Sequence, residues 1–197
     1  MYVKDEISAS VTIEKSVFIA YLRHIDSEEE YKTYLSEIRK KHYDARHVAS
    51  ALVLDNIKRS SDDGEPSGTA GKPILNVLEK NNLNKTCALV VRYFGGIKLG
   101  TGGLTRAYSN AVIEALDKAV LAEDVIYPCY TLKLPYDLAN KIIYYLENNT
   151  LLIDRQYEDE VIFTFGLDDL SKIEKIKEYT KGIEPVYLKD EIRQKVI

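Results

Sequence analysis

Apolar and polar residues alternate near the start of the chain, which is the pattern of a strand with one buried face. Residues 5–14 place an apolar side chain at every second position, and residues 17–24 are predicted to form a neighbouring strand. The stretches 48–54 and 86–93 are more continuously apolar, so they are predicted to be buried strands. The polar residues from 55 to about 68 are predicted to form a loop.

Three helices are predicted in the same part of the chain. Ser27, followed three positions later by Glu30, forms a capping box that marks the start of the first helix. A short second helix follows the polar loop and carries Ile74, Val77 and Leu78. The third has the clearest periodicity, because its apolar residues recur at intervals of three and four: Leu104, Ala107, Tyr108, Ala111, Val112 and Ala115.

The remainder of the chain alternates between strand and helix patterns in the order β-α-β-β-α-β, which is the ferredoxin-like arrangement. The strands are predicted at 129–134, 150–157, 160–167 and 184–197, and the helices at 135–147 and 169–179. We therefore predict an α/β (α+β) protein with two domains, residues 1–128 and residues 129–197. The second domain carries no pattern that indicates catalysis, so we expect it to be a docking or regulatory module.

Composition narrows the class of protein. A hydrophobic fraction of 45% with 29% charged residues is ordinary for a globular chain, and the net charge of -4 still allows a local basic patch. The two cysteines, Cys87 and Cys129, have no metal-binding or CxxC spacing, which favours a reducing compartment. The first residues are acidic where a signal peptide would be apolar, and no apolar stretch is long enough to span a bilayer. We expect a cytoplasmic protein with no membrane partner.

Glycine placement gives the first indication of a site, because eight of the ten glycines fall between Gly64 and Gly103. They lie in two segments, 61–73 and 92–106, and each segment precedes a predicted helix. Free backbone N–H groups, a helix N-terminus and nearby cations together predict an anion or nucleic-acid site. Its candidate residues are Lys72, Arg92, Lys98, Arg106, Gly68, Thr69, Gly71, Gly95, Gly96, Gly102 and Gly103.

Two common phosphate motifs do not fit these segments. Gly95 and Gly100 have the spacing of the two glycines of a P-loop, but Thr101 stands where the motif requires lysine. The dinucleotide pattern GxGxxG also fails after Gly100. Hydrolysis of the P-loop type is therefore disfavoured.

Three acids, Asp62, Asp63 and Glu65, lie beside the candidate anion site. They are predicted to support it by pairing with its cations, and binding of a divalent metal by the acidic turn is the less favoured alternative. In a catalytic interpretation Asp63 or Glu65 would be a general base. The sequence assigns no metal ligand and no required cofactor.

The two segments resemble the signature of the YigZ/IMPACT family, in the strings SDDGEPSGTAGKPIL and VVRYFGGIKLGTGGLTRAY. The resemblance covers the whole chain. It implies an N-terminal IMPACT domain with a fold like the second domain of ribosomal protein S5. It also implies a C-terminal domain similar to a ferredoxin-like domain of elongation factor G. Eukaryotic members regulate a translation-control kinase pathway through a further domain whose pattern is not found here, so the resemblance implies an association with translation rather than that pathway.

Three functional hypotheses remain open from the sequence. The first is a non-enzymatic nucleic-acid or ribosome-associated binding protein whose partner is RNA, the ribosome or a translation factor. The second is an enzyme acting on a small phosphorylated or carboxylated substrate at Asp62-Asp63-Gly64-Glu65 and Gly95–Gly103. The third makes the segments structural, with Arg92 and Arg106 buried against Asp62 and Asp63.

Overall fold

The computed structural model describes all 197 residues. Its helices are α1 (Glu28–Lys41), α2 (Gly71–Lys80), α3 (Gly100–Leu116), α4 (Tyr136–Asn149) and α5 (Lys172–Tyr179). Its strands are β1 (Tyr2–Val3), β2 (Ile7–Ile13), β3 (Ser16–His24), β4 (His47–Leu54), β5 (Ile57–Ser61), β6 (Thr86–Tyr93), β7 (Leu121–Leu134), β8 (Leu151–Tyr157), β9 (Val161–Gly166) and β10 (Val186–Val196). No helix combines the length and the apolar character that crossing a membrane requires. The predicted α/β class is confirmed.

The chain divides into two compact units, residues 1–123 with 196–197, and residues 124–195. The sequence placed the boundary after residue 128, which lies inside the continuous strand β7. Residues 121–128 contain the half-buried Glu123 and the exposed Asp124 and end in Pro128, so the pattern of a single strand is interrupted there. This is why the predicted strand began only at residue 129.

The N-terminal unit is a five-stranded antiparallel sheet in the order β2-β3-β6-β4-β5. The central strand β6 is apolar on both faces because both faces are covered. Ala88 and Val90 pack in the cluster that contains α2 and α3, whereas Leu89 and Val91 pack in the cluster that contains α1. The sheet therefore lies between two layers of helices, and its central strand β6 ends at the loop that leads into α3.

The predicted loop from 55 to 68 is wrong over its first part, because Ile57–Ser61 forms β5 against β4. All five residues of this strand are exposed, and only Ile57 is strongly apolar. An edge strand without a buried face has no alternation to detect, and backbone pairing with its neighbour decides its conformation. The turn that follows β5 leads directly into α2.

The C-terminal unit confirms the element order β-α-β-β-α-β, with α4 and α5 as the two helices. β9 lies between β7 and β8 in antiparallel pairing, and β10 also pairs with β7. Its core contains the buried faces of α4, α5 and the sheet, including Leu132, Ile142, Phe163, Phe165 and Ile176. This is the predicted ferredoxin-like arrangement.

Candidate anion-binding cleft

A cleft of about 380 Å³ opens in the N-terminal unit where the end of β6 meets the start of β4. The two strands are antiparallel neighbours, and their register places His47 opposite Arg92. The turn before α2 and the loop between β6 and α3 complete the walls. The lining residues are Arg46, His47, Glu65, Pro66, Arg92, Phe94, Lys98, Leu99, Gly100, Thr101 and Leu104.

The cleft contains a buried ion pair. Arg92 Nη1 donates a hydrogen bond of 2.6 Å to Glu65 Oε1, and the Tyr108 hydroxyl donates one of 2.8 Å to the same oxygen. The side chains of Arg92 and Glu65 are 9% and 3% exposed. Burial, together with the adjacent Glu65 carboxylate, raises the pKa of Tyr108, so its hydroxyl stays protonated and remains a donor. The network fixes Arg92 against the cleft and compensates its charge.

The Arg92 guanidinium lies between two aromatic rings. Its Cζ is 5.5 Å from the centroid of Phe18 and 5.5 Å from that of Phe94, distances that allow cation–π attraction. Its Nε is buried and has no hydrogen-bond partner within the protein. Phe94 is 54% exposed, so a large part of an aromatic ring anchored over Arg92 faces the open side of the cleft.

The first glycine-rich segment supplies its backbone N–H groups to its own carboxylate. Asp62 accepts hydrogen bonds from the amides of Gly68, Ala70 and Gly71 at 2.8 to 2.9 Å. Burial raises the pKa of Asp62, but these three bonds lower it by more, and the net pKa lies below its usual range. The N-terminus of α2 is therefore already capped by an anion.

The structure does not bring the remaining candidates of this segment into the cleft. Lys72 is exposed on α2 outside the lining. The buried Thr69 donates its hydroxyl to the carbonyl oxygen of Pro66, which closes the turn. Gly68 and Gly71 are engaged by Asp62 as described above, and a Cβ at Gly71 would lie within 2.6 Å of the Ser61 backbone.

Asp63 has hydrogen-bond partners that differ from those of Asp62 and Glu65. Its carboxylate accepts from Arg39 Nη2 at 2.5 Å and from the Val48 amide at 2.6 Å, and its backbone carbonyl accepts from His47 Nδ1 at 2.7 Å. Asp62, Asp63 and Glu65 thus point to separate partners. No group of three or more His, Cys, Asp or Glu side chains is arranged to hold a metal ion.

The N-terminus of α3 differs from that of α2. Leu99 is its N-cap, no side chain caps it, and its first turn contains no acid. Gly100 and Thr101 of this turn line the cleft. The exposed Lys98 and Arg46 line it as well, and neither forms a salt bridge. The helix end and these cations give this side of the cleft a positive character.

The other candidate residues of the second glycine-rich segment lie outside the lining of the cleft. Gly95 packs against the backbone of Lys15 and Ser16, where a Cβ would overlap it, and its amide donates to Ser16 Oγ at 3.1 Å. Gly96 has a φ of +87°, which favours glycine in the turn. Gly102 lies in the first turn of α3 outside the lining. Gly103 and Arg106 line a neighbouring groove together with Lys98.

Arg92 and Arg106 therefore have different environments, and neither is buried against Asp62 or Asp63. Arg92 is buried against Glu65, whereas Arg106 is exposed. Sequence reasoning missed Arg46 and Phe94 as lining residues. Phe94 had a visible signal, since a large aromatic side chain directly before Gly95 and Gly96 at a strand end is poorly placed for the core.

Comparison with known proteins places these residues in a family. The Impact N-terminal domain matches residues 14–116, a range that contains every lining residue of the cleft. The IMPACT family member YvyE of Bacillus subtilis is 42% identical over 165 residues, covering 82% of this chain and 76% of that protein. The IMPACT family member YigZ of Escherichia coli is 43% identical over 129 residues, covering 63% of each.

Two solved structures also align with this chain. The crystal structure of a hypothetical protein aligns with a TM-score of 0.60 and 32% identity, covering 96% of this chain and 97% of that one. The two-domain translational regulator Yih1 aligns over 59% of this chain and 46% of that one, with 24% identity and a TM-score of only 0.34. The family match rests on the domain and on the bacterial relatives, and it confirms the resemblance found in the sequence: the chain belongs to the IMPACT family.

Proposed function

We propose that the N-terminal unit binds nucleic acid at this cleft without catalysing a reaction, and that the protein acts in translation. The observation that carries the proposal is the meeting of three features in one concave surface. These are the uncapped N-terminus of α3, the unpaired cations Lys98 and Arg46, and the exposed ring of Phe94.

The charges of the lining favour an anionic ligand. Arg46, Arg92 and Lys98 are opposed there only by Glu65, which Arg92 already binds. The cleft is therefore locally basic on a chain whose net charge is -4. Phosphate oxygens bind well to helix N-termini and to arginine and lysine side chains.

The exposed ring of Phe94 favours a nucleotide over a simple anion as the ligand of the cleft. An exposed aromatic ring offers a face on which an unpaired base can stack, a contact that contributes about 1–3 kcal/mol per base. The Arg92 guanidinium beneath the ring holds it in place. A cleft of about 380 Å³ is in the range that accommodates a small organic ligand.

The positions of the acids favour binding over catalysis. Asp62 caps α2, Asp63 holds Arg39 and the start of β4, and Glu65 accepts from Arg92 and Tyr108. A general base needs a carboxylate oxygen that can reach a substrate proton. Asp63, one of the two candidate bases, lies outside the lining of the cleft.

The proposed partner in translation is ribosomal or other RNA. This part of the proposal rests on the association that membership of the IMPACT family implies, and the cleft supplies a physical basis for it. RNA presents both features that the lining suits, phosphates and unpaired bases in loops and ends. Purified ribosomes are therefore tested beside a simple RNA.

The test is binding of a fluorescein-labelled oligouridylate of about 12 nucleotides, and of ribosomes by co-sedimentation, over a salt series. Binding is expected to weaken steeply with salt, and the slope of log K against log salt is expected to fall by roughly 0.7 for each phosphate contact removed. We expect this reduction in Lys98→Gln and in Arg46→Gln. The matched control is Lys80→Gln, which removes an equal charge at the C-terminal end of α2, outside the lining of the cleft.

Two outcomes would overturn the proposal. One is the absence of salt-sensitive RNA binding at low salt. The other is binding that Lys98→Gln and Arg46→Gln weaken no more than Lys80→Gln does. Hydrolysis or modification of a phosphorylated compound that depends on Glu65 would favour the enzyme hypothesis instead.

A further inference from the structure

A second concavity of about 490 Å³ lies on the other side of the loop that leads into α3. We call it the second groove, and it is lined by Ile13, Glu14, Ile97, Lys98, Leu99, Gly103, Arg106 and Asn110. We propose that one single strand of nucleic acid occupies the cleft and the second groove together and crosses between them at Lys98. This inference rests on the proposed function and names the form of nucleic acid that the site accepts.

The two concavities share a wall. Lys98 and Leu99 line both, so a chain leaving the cleft over this loop enters the second groove directly. Gly103, Arg106 and Asn110 are spaced by three and four residues, which places them on one face of α3. This face lies opposite Ile13 and Glu14 at the end of the β2–β3 hairpin.

The second groove has side chains of its own that can contact the phosphate and the sugar or base of a nucleotide. Arg106 is exposed and forms no salt bridge. Lys98 and Arg106 outnumber Glu14, the only acid in the lining, so the groove has a net positive charge. Asn110 adds an amide that can both donate and accept hydrogen bonds.

The N-terminus of α3 and the Arg106 side chain line different concavities. Arg106 is six positions beyond Gly100, which corresponds to about 9 Å along the helix axis. The Arg106 guanidinium turns back towards Gly102, but it lines the second groove whereas Gly100 and Thr101 line the cleft. We therefore expect the N-terminus of α3 and Arg106 to contact different phosphates of one strand. Lys98 lines both concavities and can contact either phosphate.

The shape of the cleft selects a single strand. Phe94 stands at the cleft and can stack only on a base whose face is free, and the faces of bases in a duplex are covered by their neighbours. A cleft of about 380 Å³ has room for a single splayed nucleotide and not for a base-paired helix. A duplex would therefore meet only the outer cations.

The experiment compares uridine monophosphate, a hexauridylate and a blunt RNA duplex on ¹⁵N-labelled protein by NMR titration. We expect the monophosphate to shift the amide signals of Gly100 and Thr101 only, and the hexamer to shift the Asn110 side chain as well. Arg106→Gln should weaken the hexamer by roughly three- to tenfold and leave the monophosphate unchanged. Phe94→Leu should weaken both ligands, and Lys80→Gln neither.

The outcomes separate this inference from the proposed function. If the monophosphate and the hexamer bind equally and Arg106→Gln changes neither, the continuous track is refuted while binding at the cleft stands. Duplex binding as tight as that of the hexamer also refutes it. If no ligand shifts Gly100 or Thr101, the proposed function and the inference both fail.

Discussion

Replacing Glu65 by glutamine tests the buried ion pair that underlies the cleft. Glutamine keeps an oxygen at the same position, so Arg92 and Tyr108 can still donate to it. The change removes the negative charge and leaves the Arg92 cation 9% exposed without a counter-charge. The cost is thus electrostatic, with little loss of packing volume.

The expected magnitude follows from that burial. Removing one partner of a buried ion pair typically costs about 3–5 kcal/mol, because the other charge stays buried and uncompensated. Since glutamine retains the hydrogen-bond acceptor, we expect the lower end, about 3 kcal/mol. That is a large fraction of the roughly 5–15 kcal/mol by which domains are usually stable.

The assay is urea unfolding followed through amide signals of β6, for example Ala88 and Val90, because the chain divides into two units that one global signal would average. The matched control is Glu79→Gln. It breaks an exposed pair of 2.7 Å with Lys58 and should cost about 1 kcal/mol or less. Adding Arg92→Met to Glu65→Gln should recover part of the loss, since it removes the unpaired charge.

Glu65→Gln also has an expected effect on binding. It leaves the lining of the cleft with three cations and no acid, so folded protein should bind RNA more tightly at low salt. A Glu65→Gln variant that loses no more stability than Glu79→Gln would refute the structural role of the pair. Weaker binding at unchanged stability would instead indicate that Glu65 contacts the ligand.

Three further predictions concern the turns around the cleft. Asp62→Ala should destabilise the N-terminal unit by about 1–2 kcal/mol in urea, since it uncaps α2. Folding lowers the pKa of Asp62, so the stabilisation by its carboxylate is fully present above the unfolded pKa of 3.8 and is lost as the pH falls through the lower folded pKa. The difference in unfolding free energy between wild type and Asp62→Ala should therefore shrink only below about pH 4. Gly95→Ala should lower the free energy of unfolding by about 2 kcal/mol or more, because its Cβ would overlap the backbone of Lys15. Gly102→Ala has room for its Cβ, 3.7 Å from the Arg106 guanidinium, and should raise the melting temperature slightly because alanine favours the helix.

The fold was largely predictable because most elements bury one face. The β6 strand was predicted with its observed ends, and the helix after Ser27 began where the capping box placed it, with Ser27 Oγ accepting from the Glu30 amide at 3.1 Å. Among the longer strands, the failures were β5 and the first half of β7. Both are determined by pairing with neighbouring strands, and such pairing leaves little periodicity in the sequence.

The candidate site was predictable as a region but only partly as a set of residues. The glycine pattern located the loops, and Arg92 and Lys98 line the cleft as expected. Arg46 directly precedes β4, and only the β4–β6 register brings the start of that strand beside Arg92. A contact that depends on strand register has no local signature in the sequence.

The two glycine-rich segments look alike in sequence, yet one binds its own carboxylate and the other leaves its helix end open. The difference is their acid content. Residues 61–73 contain three acids, and one of them, Asp62, satisfies the amides at the start of α2. Residues 92–106 contain no acid and three cations, so the N-terminus of α3 has no internal anion to accept its amides. A glycine turn before a helix indicates a ligand site most strongly where the chain supplies no counter-ion of its own.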